Sequence, residues 1–226
     1  MKKILLAIFC FFILNKPSIA LVEVDITRGN LDPLPIAVSP LYVDPGSVAI
    51  KQNEEIIENI GEEISKVIEV NFKRSGLFNP LSKESFVQKP DIAHIKPRFE
   101  DWKLIKAQHL VSGKISTNNG KISVEFRLFD VFQQKQIVGK KYETNEKNWR
   151  RVAHIISDSI FKNITGEGGY FDTRIVYVAE TGPKENKQKR LAIMDQDQSN
   201  HRFLTDGSYL VLTPRFSPNS QKITYM

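Results

Sequence analysis

The chain has 226 residues, of which 41% are hydrophobic and 26% are charged, and this composition excludes a wholly disordered or fibrous protein. The formal net charge of +6 at first suggests a polyanionic partner. The single cysteine, Cys10, excludes a disulfide framework and a cysteine-rich metal site.

The N-terminus has the pattern of a secretory signal peptide, residues 1–20. Two lysines precede the unbroken apolar run Ile4–Leu14, and Ser18 and Ala20 supply small residues at the −3 and −1 positions. The run is shorter than the roughly 20 residues that span a bilayer, so we expect cleavage between Ala20 and Leu21 and no stable membrane insertion afterwards. A retained N-terminal anchor is the alternative.

Cleavage there changes what the net charge indicates. The signal peptide carries three lysines, no acidic residue and the only cysteine, so the mature chain has a charge of +3 and no cysteine. A charge this small does not favour a nucleic-acid partner. We therefore expect an exported protein that does not bind nucleic acid.

The N-terminal tail, residues 21–33, begins with apolar and polar side chains that alternate with the period of a β-strand. This segment is either an edge strand of its own domain or a strand that is offered to the sheet of a partner. In the second case the main chain would supply affinity and the alternating side chains specificity. The candidate partner-binding residues are Val22, Glu23, Val24, Asp25 and Ile26.

Residues 34–165 show the pattern of an α+β domain. A short apolar strand at Leu34–Val38 precedes a long amphipathic helix predicted over Glu54–Ser75, with Asn53 as its N-cap. The residues after this helix, Leu77–Leu81, are predicted to be an apolar loop that packs back onto the domain.

The second half of this domain is predicted to contain a meander between two helices. A short helix is predicted near Arg98–Lys106, and three antiparallel strands follow, of which the first two are joined by a turn at Asn119-Gly120. The second long amphipathic helix is predicted over Glu146–Ile164. The expected architecture is a mixed sheet with two long amphipathic helices on one face.

The pattern changes at residues 166–169, a glycine-rich linker that contains Gly166 and Gly169. No helical periodicity follows it. Residues 170–226 instead show short strands, the first near Arg174, with turn signals at about 10-residue spacing, which is typical of a β-propeller blade.

The motifs of catalysis and metal binding are missing from the sequence. The four histidines are widely scattered, and neither a nucleophile elbow of the G-x-S-x-G type nor a phosphate-binding loop is present. The Asp195-x-Asp197 pair lacks the remaining ligands of a calcium loop and is interpreted as a hairpin turn. We expect no catalytic residue, no cofactor and no metal ion.

Four segments in chain order resemble the TolB family of periplasmic proteins. One follows the first long helix, one lies in the second long helix, one opens the propeller-like region and contains Phe171, Thr173 and Arg174, and one resembles the family's blade repeat apart from Asn219-Ser220 in place of Asp-Gly. The segments are Arg74–Leu81, His154–Gly166, Gly169–Val178 and Pro214–Tyr225.

This resemblance implies a periplasmic adaptor of the Tol-Pal system that is not an enzyme. It implies that the N-terminal tail binds the inner-membrane protein TolA and that a six-bladed propeller binds the lipoprotein Pal. It also implies a role in outer-membrane invagination during cell division and in envelope integrity.

The length departs from the family. Only residues 169–226 remain for the propeller, enough for one blade and the start of a second, so we expect an incomplete propeller and a C-terminally truncated chain that keeps the TolA-binding part. Two alternatives stay open. The chain could be the start of an exported hydrolase that contains a propeller, or an isolated α/β module that binds TolA without Pal.

Overall fold

The computed structural model describes residues 32–47, 49–52, 55–219 and 222–226. The predicted signal peptide, its cleavage point at Ala20 and Leu21, and the candidate residues Val22 to Ile26 lie outside the described residues. No described helix is long and apolar enough to cross a bilayer.

A six-stranded mixed sheet forms the centre of the first domain. Strand β1 lies between β5 and β6 and pairs in parallel with both, and β6, β7 and β8 form the antiparallel meander. A two-residue strand, β2, also pairs with β6, and β3 and β4 form a separate hairpin. The eight strands are β1 (Leu34–Val38), β2 (Tyr42–Val43), β3 (Ile50–Gln52), β4 (Glu55–Ile57), β5 (Phe78–Pro80), β6 (His109–Asn118), β7 (Lys121–Asp130) and β8 (Lys135–Asn145).

The predicted turn between β6 and β7 is confirmed. Asn119 and Gly120 have φ angles of 49° and 73°, as a two-residue turn with positive φ at both positions requires. The right-handed twist of the two strands favours this turn, and it sets the register that pairs Asn118 with Lys121.

Two long helices cover one face of the sheet, as predicted. Helix α1 (Ile60–Ser75) and helix α4 (Trp149–Thr165) are joined along the chain by the short helices α2 (Pro90–Ala93) and α3 (Phe99–Leu104) and by the meander. The apolar stripes of α1 and α4 are buried against the sheet. This core includes Ile36, Val38, Ile64, Ile68, Phe72, Phe78, Ile115, Phe126, Leu128, Ile156 and Ile160.

The opposite face of the sheet carries a second, smaller core under α2 and α3. Trp102 is 1% exposed there and donates from its indole nitrogen to Gln88 Oε1 at 3.0 Å. The same Gln88 oxygen accepts from the backbone of Arg98 at 2.9 Å, which fixes the start of α3. The polar tip of a buried tryptophan therefore has a partner, as burial requires.

The predicted start of the first long helix is wrong by six residues. The helix begins at Ile60 and not near Glu54, and its N-cap is Asn59, whose side chain accepts from the backbone N–H of Glu62. The preceding residues pair as the β3–β4 hairpin, in which Ile50 lies opposite Ile57. Because isoleucine fits both helical and strand periodicity, the apolar pattern alone extended the helix too far.

Two further details differ from the predictions. Phe78–Pro80, predicted as part of a loop, is strand β5, which pairs with β1 through the register Leu34 to Phe78. The second long helix begins at Trp149, after a 3₁₀ turn at Glu146–Asn148.

The chain after residue 169 forms only strands and turns. Strands β9, β10 and β11 make an antiparallel sheet in which β10 is central, and β12 and β13 form a separate pair. No helix occurs among the described residues of this region, as the pattern predicts. The strands are β9 (Arg174–Thr181), β10 (Gln188–Asp195), β11 (Arg202–Phe203), β12 (Arg215–Phe216) and β13 (Ile223–Thr224).

Candidate functional site

The two parts of the chain meet at a junction formed by helix α1, helix α4 and the turn between β10 and β11. Polar side chains from all three elements contact one another there, although some are separated by more than 120 residues in the sequence. Asn71, His154 and Ser157 are at most 2% exposed. Buried polar groups are costly unless they are hydrogen-bonded, so this cluster indicates a specific contact between the two parts.

The linker is fixed by the carboxylate of Asp158 on helix α4. The backbone N–H groups of Phe171 and Asp172 donate to its Oδ1 and Oδ2 atoms at 2.6 and 3.0 Å. Helix α4 ends at Gly166, which has a left-handed φ of 81°, and the chain folds back so that Gly169 lies directly against Asp158. A Cβ atom at position 169 would overlap both the backbone and the side chain of Asp158.

Phe171 fills the space between the two long helices. It is 2% exposed, and its ring lies 6.3 Å from that of Phe72 on α1 and 5.8 Å from that of Phe161 on α4, in both cases nearly edge-on. Edge-to-face contacts of this kind stabilise aromatic pairs beyond the area that they bury. The linker is therefore anchored by an apolar side chain as well as by Asp158.

Thr173 and Arg174 connect the linker to the blade strands. The Thr173 hydroxyl donates to the carbonyl of Tyr170 at 2.7 Å, and the Thr173 carbonyl accepts from the backbone N–H of Gln196 at 3.1 Å. The Nε atom of Arg174 lies 3.8 Å from Asp195 Oδ1 across the β9–β10 pair. Of the residues singled out from the sequence, Gly166, Gly169, Phe171, Thr173 and Arg174 thus lie in or beside the junction.

A chain of hydrogen bonds with a single polarity crosses the junction. Arg74, which can only donate, binds Gln196 Oε1 at 2.7 Å, so Gln196 turns its amide nitrogen toward Asn71 Oδ1 at 2.9 Å. Asn71 therefore presents its own amide nitrogen to Ser157 Oγ at 2.9 Å and to His154 Nδ1 at 3.0 Å. The arginine fixes the orientation of both amides.

This polarity determines the tautomer of His154. Since Nδ1 accepts from Asn71, the ring proton of the neutral imidazole is on Nε2, which is directed at Asp197 Oδ2 at 3.5 Å. The same Oδ2 atom of Asp197 also contacts Nε and a terminal nitrogen of the Arg150 guanidinium group, both at 2.7 Å. The chain of contacts that begins at Arg74 thus ends at Asp197.

His154, Asp195 and Asp197 are close enough together to hold a metal ion, but the hydrogen-bond polarity argues against this use. Their nearest ligand atoms lie within 4.8 Å of one another. Metal ligation by Nε2 would need its lone pair, and hence a proton on Nδ1, which the Asn71 amide group opposes. Arg150 also occupies the Asp197 oxygen that a cation would need.

Ser157, His154 and Asp197 include the residue types of a hydrolytic triad, but their geometry is not that of one. The amide of Asn71 lies between the serine and the histidine, and the Ser157 hydroxyl donates to the carbonyl of Ala153 at 2.9 Å. A triad serine donates to the histidine itself and is open to substrate. Ser157 is completely buried, so this arrangement supports structure and not nucleophilic attack.

The ionised form of Asp197 is strongly favoured. Burial of its side chain, which is 5% exposed, opposes ionisation. The contacts from His154, the backbone N–H of Ser199 and Arg150 outweigh that effect, and together they hold the pKa of Asp197 far below its ordinary value. The carboxylate therefore stays charged over the whole physiological pH range.

Sequence reasoning did not identify Asn71, Gln196 and Asp197 as members of one site. His154 and Asp158 belong to a segment that carried the family resemblance, but their roles there were not apparent. The signal that could have drawn attention to them is the placement of polar residues on the apolar faces of two amphipathic helices, as with Asn71 on α1.

Comparison with known proteins agrees with the fold and the order of its parts. The sequence model of the TolB amino-terminal domain matches residues 22–137, and that of the TolB beta propeller domain matches residues 161–226. The crystal structure of TolB from Acinetobacter baumannii superimposes with a TM-score of 0.69 at 24% identity, over 86% of this chain and 44% of that one. This similarity supports an α/β domain followed by propeller strands.

Two relatives are much closer in sequence. The Tol-Pal system protein TolB of Pelagibacter ubique (strain HTCC1062) is 56% identical over 96% of this chain and 48% of its own length. The Tol-Pal system protein TolB of Paramagnetospirillum magneticum (strain ATCC 700264 / AMB-1) is 48% identical over 93% and 45%. The chain therefore spans about half the length of the curated relatives that it matches.

The close approach at Gly169 predicts an unequal effect of two adjacent alanine substitutions. Gly169→Ala is expected to lower the free energy of unfolding by about 2 kcal/mol or more, because the new methyl group must displace Asp158 and the backbone that it holds. Gly168→Ala is the matched control, since a Cβ there meets open space. Urea unfolding of both variants measures the difference, and equal losses would contradict the role given to Gly169.

The environment of Asp197 predicts that acid weakens the junction. Because the pKa is lower in the folded than in the unfolded chain, the carboxylate stabilises the fold above its ordinary pKa of 3.8 and loses this effect as the pH falls below that value. Asp197→Asn is expected to be about 2 kcal/mol less stable at neutral pH. Its stability is also expected to fall less steeply than that of the wild type between about pH 5 and about pH 3.

Urea unfolding at several pH values measures both effects of the Asp197 substitution. Glu185→Gln, in an exposed loop of the same blade, is the matched control and should follow the wild-type pH dependence. Parallel pH profiles for the wild type and Asp197→Asn would refute the assignment.

Proposed function

The chain belongs to the TolB family, and from this premise we propose that it is a non-enzymatic adaptor of the Tol-Pal system that acts in the periplasm. The proposed role is to link TolA and Pal during outer-membrane invagination at cell division and to maintain envelope integrity. The support for export is the N-terminal pattern, in which residues 1–20 are removed by cleavage between Ala20 and Leu21. Intact mass measurement of the exported chain tests that cleavage point.

The observation that carries the TolA proposal is the alternating pattern of the tail. Val22, Val24 and Ile26 would share one side of the segment if it were extended, and the match to the TolB amino-terminal domain begins at residue 22. We assign TolA binding to strand addition by this segment, in which backbone groups pair with a sheet of the partner. The tail leads directly into β1, so its C-terminal end is attached to an internal strand of the sheet.

Pal binding is assigned in this proposal to the propeller strands, which follow the junction. The support is the match of residues 161–226 to the TolB beta propeller domain. The hydrogen bonds among Arg74, Gln196, Asn71 and His154, together with the contact of His154 with Asp197, would then hold the two partner-binding parts in one fixed relation. This is the structural contribution that an adaptor needs.

The non-enzymatic character of the proposal is supported by the roles of the junction residues. The side chains most suited to acid–base or nucleophilic chemistry, those of His154 and Ser157, are buried and have hydrogen bonds within the fold. Their arrangement offers no substrate a path to a reacting atom.

Strand addition predicts that substitutions on the two sides of the tail differ in effect. Val24→Asp, in a chain that begins at Leu21, is expected to weaken TolA binding at least ~10-fold, because an apolar contact of the strand is replaced by a charge. Glu23→Gln, on the opposite side, is the matched control and should change the affinity by less than about twofold. Isothermal titration calorimetry with TolA measures both.

Two results would overturn the proposal. If a chain lacking residues 21–32 bound TolA as tightly as the wild type while remaining folded by circular dichroism, the tail would not be the binding segment. If residues 34–165 alone retained Pal in the same titration, the assignment of Pal to the propeller strands would be wrong.

A further inference from the structure

A cleft of about 410 Å³ lies between the start of helix α4 and the blade strands, next to the junction but open to solvent. One wall is formed by Lys147, Asn148 and Arg151, and the other by the first residue of β9, by the end of β10 and by the residues that lead into β11. This volume lies within the range of small-ligand sites and is far too small for a folded partner.

Positively charged side chains dominate the walls of this cleft. Lys147 and Arg151 come from the helix side, and Arg174 and Arg202 from the blade side. All four are exposed at the surface of the protein. Asn148, Asn200 and His201 add further polar groups that can donate hydrogen bonds.

The protein's own carboxylates neutralise only part of this charge. Arg151 makes a two-pronged contact with Asp172 at 3.1 to 3.2 Å, which raises the pKa of the guanidinium, and Arg174 lies 3.8 Å from Asp195. No acidic side chain among the described residues forms an ion pair with Lys147 or Arg202. Four cations against two carboxylates leave an excess of two positive charges.

The backbone increases this positive potential. Helix α4 has 17 residues and begins at the cleft, where the positive end of its dipole lies. Its first turn contains no acidic residue, and two arginines stand there, although carboxylates are the side chains that a helix N-terminus favours. Arg150 is compensated by Asp197, but its neighbour Arg151 turns into the cleft. The cleft thus combines a cation-rich lining with a helix N-terminus that has arginines in its first turn. A bound anion would reduce the electrostatic repulsion among all of these positive groups.

We propose that this cleft binds a compact phosphate-bearing group with two or more negative charges. The planar guanidinium groups of three arginines match the oxygen geometry of phosphate, with which they form paired hydrogen bonds, and Lys147 adds a point charge. The excess of two charges fits a doubly charged group better than a single carboxylate. A soluble oligophosphate and the phosphomonoester headgroup of phosphatidic acid share this chemistry.

Titration with inorganic pyrophosphate tests the proposal on the whole chain. The double variant Lys147→Gln/Arg202→Gln removes the two cleft cations that have no ion-pair partner, and it should weaken binding at least ~10-fold at low ionic strength. The matched control is Lys184→Gln/Arg215→Gln, which removes the same two charge types from exposed positions of the blade outside the cleft. Its affinity should stay within about twofold of the wild type. Near-ultraviolet circular dichroism and the thermal midpoint verify that both variants are folded.

A parallel arm with phosphatidic acid vesicles, whose headgroup is a phosphomonoester, separates the two sources of phosphate. If the wild type binds pyrophosphate and the cleft variant loses that binding, the ligand is a soluble phosphate. If the wild type binds only the vesicles and the cleft variant loses that binding, the ligand is a lipid headgroup. Equal weakening by both double variants, or no binding of either probe by the wild type, would overturn the site. The cleft lies outside the tail, so this result and the TolA titration succeed or fail independently.

Discussion

The two carboxylate oxygens of Asp158 control the path of the chain where the α/β domain ends. They accept hydrogen bonds from the backbone N–H groups of two successive residues, Phe171 and Asp172. A single side chain therefore sets both the position and the direction of the linker. This contact requires glycine at position 169, because no side chain fits between the linker and helix α4. It also places Phe171 between the two long helices, where its ring contributes to the core of the first domain. The glycine-rich linker is therefore held at a defined position.

The junction gains its specificity from the one-way nature of its hydrogen bonds. An arginine cannot accept a hydrogen bond and a carboxylate cannot donate one, and Arg74 and Asp197 stand at the two ends of the chain through Gln196, Asn71 and His154. Every amide and ring between them then has only one satisfactory orientation. An apolar contact of similar area would stabilise the junction but would tolerate sliding, whereas this network is satisfied in one register.

The parts of the fold that depend on local pattern could be predicted from the sequence. Local patterns in the sequence predict the meander, the Asn119-Gly120 turn and the two long helices. The patterns are the alternation of apolar residues, the residue types of the turn and the helical spacing, each of which involves residues close together in the chain. The first helix was predicted too long because the isoleucines of the β3–β4 hairpin continue the apolar spacing. Strand β5 was missed because it has only three residues, ends in a proline and forms only by pairing with β1, more than 40 residues earlier. The polar network could not be predicted for a similar reason, because its members are far apart in the sequence. His154 and Asn71 lie 83 positions apart, and Gln196 and Asn71 lie 125 positions apart.

The position of β1 between two parallel neighbours has a mechanical consequence. Any tension applied to the residues before Leu34 enters the fold through a strand that is flanked on both sides by parallel neighbours, β5 and β6. The hydrogen bonds to those neighbours lie across the direction of the pull, so they share the load and must shear together. They do not open one at a time, as the bonds of an edge strand in a hairpin can when its end is peeled away. A partner that draws on this end of the chain therefore pulls against a strand that is hydrogen-bonded along both of its edges.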